Sequence, residues 1–109
     1  MNALEPALSE ADFQTRIIEY AVLSGWRVCH FRPAKTGRGW RTPIEGHVGL
    51  PDLVLARGGK VILAEIKSRH GRLSLDQMAW LEALGPFGRC WRPEAWDQIV
   101  LELAPRQSA

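Results

Sequence analysis

Two short apolar runs, Leu53-Val54-Leu55-Ala56 and Val61-Ile62-Leu63, flank the pair Gly58-Gly59. No other stretch restricts the folding of this chain so tightly. Both runs are β-prone, and a Gly-Gly pair accepts the positive φ values of a two-residue type I′ turn. Such a turn fixes the register. Arg57 then faces Lys60, and counting outward puts Asp52 opposite Glu65. Directly opposed side chains share a face, with Cβ atoms about 4.5–5.5 Å apart. Lys67, two residues beyond Glu65, projects from the same face. A three-residue turn would break this pairing, so the expectation is geometric. The strands are apolar on both faces, as central strands are, and charges at their open end are costly unless compensated. Two carboxylates this close repel. A hard divalent cation with Lys67 beside it is one compensation, and an ordinary salt-bridged strand end is the alternative.

The rest of the chain supplies elements to pack on this hairpin. Ser9 is placed to cap a helix over about Glu10–Ser24, with Phe13, Ile17, Tyr20, Ala21 and Ser24 at helical spacing and Gly25 ending it. Trp26–Arg32 alternates and reads as a first strand. Pro33–Gly49, with Gly37, Gly39, Gly46 and Pro43, reads as a long loop, a length that is usually functional or mobile. After a turn at His70-Gly71-Arg72, Ser74 caps a second helix to about Leu84, closed by Gly85-Pro86. Phe87–Arg92 reads as a further strand, which should lie beside the second hairpin strand after the helical crossover. Pro93 opens a last helix through Leu103, and the tail 104–109 should fray. The expectation is one α/β domain spanning 1–109, with its core at about 9–103. It has the order αβββαβ, a mixed sheet flanked by helices and an extra C-terminal helix.

Composition fits that size. A hydrophobic content of 46% and a charged content of 24% suit a single small core and argue against disorder. No apolar run is long enough for a membrane span, and the N-terminus lacks the basic and apolar regions of a leader. The expected location is cytoplasmic, in a bacterial or phage-infected host cytosol. Cys29 and Cys90 read as buried thiols of a reducing compartment, and no metal-ligand spacing supports zinc at Cys29-His30. Trp80, Trp91 and Trp96 sit in apolar patterns and read as packing residues. Trp40, isolated among Gly and Arg, either stacks on a base or sugar or folds back onto the domain.

A net charge of +2 does not by itself announce a nucleic-acid binder. Its distribution says more. Arg27, Arg32, Lys35, Arg38 and Arg41 occupy 26–44 with no acid among them, and Lys67, Arg69, His70 and Arg72 occupy 66–75, again without one. Two basic segments thus neighbour the paired carboxylates, where phosphates would be attracted; solvated loops are the plainer reading. Glu10 is explained by the helix dipole alone, and Glu19 is a mid-helix surface rival. Gln77 completes a capping box with Ser74.

Pro51-Asp52 followed by Glu65-Ile66-Lys67 resembles the PD-(D/E)XK motif of restriction-endonuclease-like nucleases. The wider pattern is similar to the VRR-NUC branch: an acid before the first helix (Glu10), Gly49 to Asp52, Glu65 to Lys67, and Ser74 to Gln77. The likeness covers about residues 9–100. It implies the restriction-endonuclease-like core and a metal-dependent DNA phosphodiesterase. Asp52, Glu65, the backbone carbonyl of Ile66 and Glu10 would hold Mg²⁺ or Mn²⁺. Lys67 and Gln77 would complete the catalytic set beside the attacking water, and the products would carry 5′-phosphates. Stand-alone proteins of this size resemble homodimeric Holliday junction resolvases, which implies branched DNA, a four-way junction, as partner. Arg32, Lys35, Arg38, Arg41, Arg69 and Arg72 would contact the DNA. A nuclease of flaps, duplex or single strands, or a non-catalytic DNA-binding scaffold, are the alternatives. Leu81, Leu84 and Ile99 are candidates for a dimer face.

Overall fold

The computed structural model describes residues 8–31, 34–36, 39–41 and 45–105, without the side chains of 34–36 and 39–41. Ser9 starts the first helix, α1 (Glu10–Leu23), by accepting the Asp12 N–H on its hydroxyl at 3.0 Å. Phe13, Ile17 and Ala21 form its buried stripe, and Gly25, at φ +91°, turns the chain out of it. Strand β1 (Arg27–His30) follows. Where the sequence suggested only a long loop, β2 (Ala34–Thr36) and β3 (Gly39–Arg41) pair as a separate antiparallel ribbon. The hairpin is β4 (Leu53–Arg57) and β5 (Lys60–Ile66), joined by Gly58 at φ 58° and Gly59 at φ 83°. Both central residues of the turn have positive φ, as the type I′ assignment required, and Arg57 faces Lys60.

Helix α2 (Leu75–Leu84) leads through a 3₁₀ turn, Gly85–Phe87, into β6 (Gly88–Trp91). A second 3₁₀ turn at Pro93–Ala95 precedes α3 (Trp96–Leu103). The main sheet has the order β1-β4-β5-β6. Its first two pairings are antiparallel, and β5 with β6 is parallel across the α2 crossover. The hairpin strands are central, which is why both of their faces are apolar.

One face of the sheet carries the core. Leu53, Leu55, Ile62, Ala64, Ile66 and Trp91 pack with Phe13, Ile17 and Ala21 of α1 and Ile99 and Leu103 of α3. Arg57 secures the closed end of the hairpin. Its Nη1 donates to the carbonyls of Ser24 (2.8 Å) and Leu103 (3.2 Å), and its guanidinium lies 4.5 Å from the Trp26 ring centre. Those carbonyls end α1 and α3, where a cation is favoured. Helix α2 covers the opposite face near β6, and a Cβ on Gly88 would come within 3.2 Å of Leu84 Cβ and 3.3 Å of Leu81 Cδ2.

Several expectations are corrected by packing. Ile99 is buried in the core, so it offers no dimer face, while Leu81 and Leu84 are half-buried on α2 beside Gly88 of β6. Trp91 is a core residue, and Trp96 packs edge-on to Phe13 and Tyr20. Trp80 is only half-buried; its Nε1 donates to the His47 carbonyl at 3.3 Å and pins the 45–48 segment to α2. The Cys29 thiol is exposed and that of Cys90 half-buried, because β1 is an edge strand and α2 covers β6 incompletely. Among the described residues, no helix is long and apolar enough to cross a membrane.

Candidate active site

The open end of the hairpin gathers the charged residues as its register dictates. Leu53 pairs with Ala64, so Asp52 stands opposite Glu65. The two residues are cross-linked. The Asp52 N–H donates to Glu65 Oε2 at 3.2 Å, and the Ile66 N–H donates to Asp52 Oδ2 at 3.4 Å. Glu65 is 2% exposed. A buried carboxylate has to be satisfied by hydrogen bonds or charge, and here three groups contribute. Besides the Asp52 amide, Gln77 Nε2 donates to Oε1 at 2.5 Å, and Lys67 Nζ lies 3.7 Å from the same oxygen.

Gln77 settles a question that sequence alone left open. Its Oε1 accepts the Ser74 N–H at 2.9 Å while Ser74 Oγ accepts the Gln77 N–H at 3.1 Å, a complete capping box. The amide's other end reaches Glu65. One side chain therefore starts α2 and ties that helix to the paired carboxylates.

Burial pushes the Glu65 carboxyl up from 4.5 to about 7; the facing Asp52 adds to this and Lys67 opposes it. Among the described residues, Lys67 is the one cation within ion-pair distance of the facing carboxylates. The site's donor chemistry fits a hard divalent cation, since two carboxylates and a carbonyl are all-oxygen ligands and such ions retain several waters. The Ile66 carbonyl leaves the strand on the same edge as its N–H, which faces Asp52; the Lys67 N–H turns the other way, to the Trp91 carbonyl at 3.0 Å. Among the described residues, no group of three or more His, Cys, Asp or Glu is arranged to hold a metal ion. A cation here would rest on Asp52, Glu65 and the Ile66 carbonyl, with water completing its shell.

Glu10 is exposed on the first turn of α1, and no ion pair or hydrogen bond joins it to Asp52, Glu65 or Lys67. It does stand at the same end of the sheet. Gln14 Nε2 is 3.0 Å from His30 Nε2, and the Phe31 N–H donates to the Asp52 carbonyl. A helix rises about 1.5 Å per residue, so Glu10 lies about 6 Å further along the axis, past the strand ends. Glu19 is exposed further along α1.

Of the basic candidates, Arg69 and Arg72 are exposed in the turn that follows Lys67. Arg32 and Arg38 lie outside the described residues, as do the side chains of Lys35, Trp40 and Arg41. Gly49, at φ +97°, sits so close to α2 that a Cβ would come within 2.7–2.8 Å of Asp76 atoms. The glycine before Pro51-Asp52 thus lets the incoming chain pass against the turn of α2 that carries Gln77.

Arg92 is the residue the sequence did not reveal. Its Nη1 donates to the Ser68 carbonyl at 2.8 Å and the Gly71 carbonyl at 2.6 Å, clamping the turn after Lys67. Cys90, paired with Glu65 across β5 and β6, lies between these charges. Burial pushes its thiol up, while Arg92 and Lys67 pull it down. The signal was the alternation Cys90-Trp91-Arg92, but it is readable only once the parallel register is known. Comparison of the chain with family models, with curated proteins and with solved structures found no match.

Proposed function

We propose that this protein is a Mg²⁺- or Mn²⁺-dependent endonuclease that hydrolyses DNA phosphodiesters, acting on branched DNA as a homodimer in the manner of a Holliday junction resolvase. The reading is carried by one observation: a buried glutamate faces an aspartate across a hairpin, with a lysine and a glutamine converging on it. The likeness of Gly49 to Asp52, Glu65 to Lys67 and Ser74 to Gln77 to the VRR-NUC pattern supports it, as does the restriction-endonuclease-like order of elements.

A divalent cation bound there would supply a more acidic water and neutralise charge on the phosphate. Asp52 and Glu65 would provide the negative charge to hold it. Gln77 fixes the orientation of Glu65 through Oε1, so the carboxylate need not reorganise. Lys67, its side chain 15% exposed, is placed to donate to the attacking water or to a phosphate oxygen. Water gives up a proton to solvent as it forms the new bond to phosphorus, and the bond to the 3′ oxygen breaks as that oxygen takes up a proton from solvent, leaving a 5′-phosphate and a 3′-hydroxyl. Arg69 and Arg72 hold the flanking backbone through its charge.

The test is cleavage of a labelled four-way junction against matched duplex and single strand, with Mg²⁺, Mn²⁺ or EDTA. Paired, metal-dependent cuts are expected, and Asp52→Ala and Glu65→Ala should abolish them in folded protein. Metal-dependent cutting that survives in clean Asp52→Ala protein would remove the site. Junction binding without cutting in any metal would favour a DNA-binding scaffold.

A further inference from the structure

We propose that Arg92, with the turn it clamps, forms a second phosphate subsite that takes a DNA backbone phosphate next to the one at Asp52, Glu65 and Lys67. The inference rests on the nuclease reading for its ligand and deepens it by assigning where the neighbouring phosphate binds.

Position comes first. The parallel register pairs Glu65 with Cys90 and Ile66 with Trp91, and the Lys67 N–H donates to the Trp91 carbonyl. The next residues in that register, Lys67 and Arg92, therefore lie side by side on the face that carries Glu65, with strands about 4.8 Å apart.

Arg92 is also incompletely used. It is half-buried, and no carboxylate of the described residues lies within ion-pair distance of it. Its clamp employs a single nitrogen, Nη1. Nε and Nη2 make no hydrogen bond to the described residues. No side-chain nitrogen or oxygen among them is both buried and unpaired, so neither donor is sealed from solvent. A guanidinium presents five N–H donors in a fixed fork that suits a phosphate. A partly desolvated cation with one edge committed to carbonyls and the other free is poised for an anion.

The turn adds to this. It closes on itself through the Gly71 N–H to the Ser68 carbonyl at 3.2 Å. A Cβ on Gly71 would stand 2.9 Å from Ser68 Oγ and 3.5 Å from Lys67 Cδ, so the turn folds back on the lysine stem. Arg69, His70 and Arg72 are exposed around it, with no acid from Ile66 to Leu75. The plainer role for Arg92 is to brace the turn. Bracing needs donors but no charge, and that difference can be measured.

The experiment is binding of a synthetic four-way DNA junction in EDTA, over a series of salt concentrations, by wild type and Arg92→Gln. Glutamine keeps a donor for the carbonyls and loses the charge. The variant is expected to bind about tenfold more weakly and to lower the slope of log Kd against log salt by about one. Single methylphosphonate substitutions along the strands then locate the contact. Wild type should lose affinity at a step next to the cleavage site, and Arg92→Gln should be indifferent to that substitution. An unchanged salt slope with the wild-type methylphosphonate pattern would leave Arg92 as a brace only and overturn the proposal. Should Arg92→Gln lose its cooperative melt, the wild-type scan decides alone: no sensitive step beside the cleavage position overturns the subsite. A step whose substitution weakens wild type but not Arg92→Gln, on a junction that no metal causes to be cut, would instead remove the nuclease reading and keep the phosphate site.

Discussion

The Glu65 carboxyl makes the metal-free protein weaker where the proposed enzyme would work. In the fold it titrates near 7 rather than 4.5, chiefly because it is buried and faces Asp52. A carboxyl whose value is raised on folding binds its proton more tightly in the native state. The stability this provides is complete below about 4.5 and is lost as pH rises through about 7. At about 1.4 kcal/mol per pH unit of difference, the loss amounts to about 3 kcal/mol. That is a large part of the stability of a domain this size. Glu65→Gln stays neutral and, like the protonated acid, can donate to Asp52. Urea unfolding of both proteins in EDTA from pH 4.5 to 8 should show wild type falling relative to the variant, with Glu65→Gln the more stable at pH 8. Mg²⁺ should reverse the order at pH 8, because binding requires the deprotonated carboxylate, and should leave the variant unmoved. A wild-type curve parallel to that of Glu65→Gln across this range would refute the idea that burial and the facing Asp52 raise the Glu65 carboxyl.

Gln77→Ala removes half of a capping box and one donor to a buried carboxylate, so a cost of about 1–3 kcal/mol is expected. It should also lower the cleavage rate, whereas Ser74→Ala, which touches only the cap, should cost stability and spare the rate; thermal melts beside single-turnover assays separate the two. Gly49→Ala would force a side chain into Asp76 at positive φ. A loss of about 2–3 kcal/mol is expected from strain and overpacking together, and a melting temperature equal to wild type would show that the 45–50 segment does not press on α2.

Much of the candidate site was legible because it is local. A Gly-Gly turn sets a two-residue connection, and the connection sets the register, so Asp52, Glu65 and Lys67 are placed by counting. The Ser74–Gln77 cap is equally local, since both partners lie within one helical turn. The core stripe Phe13, Ile17 and Ala21 follows from helical period. What failed was long-range. Trp80 reads as a packing residue but is only half-buried, against the 45–48 segment, and Ile99 reads as a dimer-face candidate but lies on the side of α3 that is buried in the core.

The sequence by itself determined the order of the core elements, though not the β2–β3 ribbon, together with the hairpin register and the meeting of two carboxylates and an amine, because backbone turn chemistry and residue period act over a few residues. Only the tertiary structure decided that Gln77 reaches Glu65, that Gly49 lies against Asp76 and that Arg92 stands beside Lys67. Each of these depends on where α2 and the parallel strand β6 come to rest. A strand joined through a helix has no turn to fix its register, and packing across the sheet has to fix it.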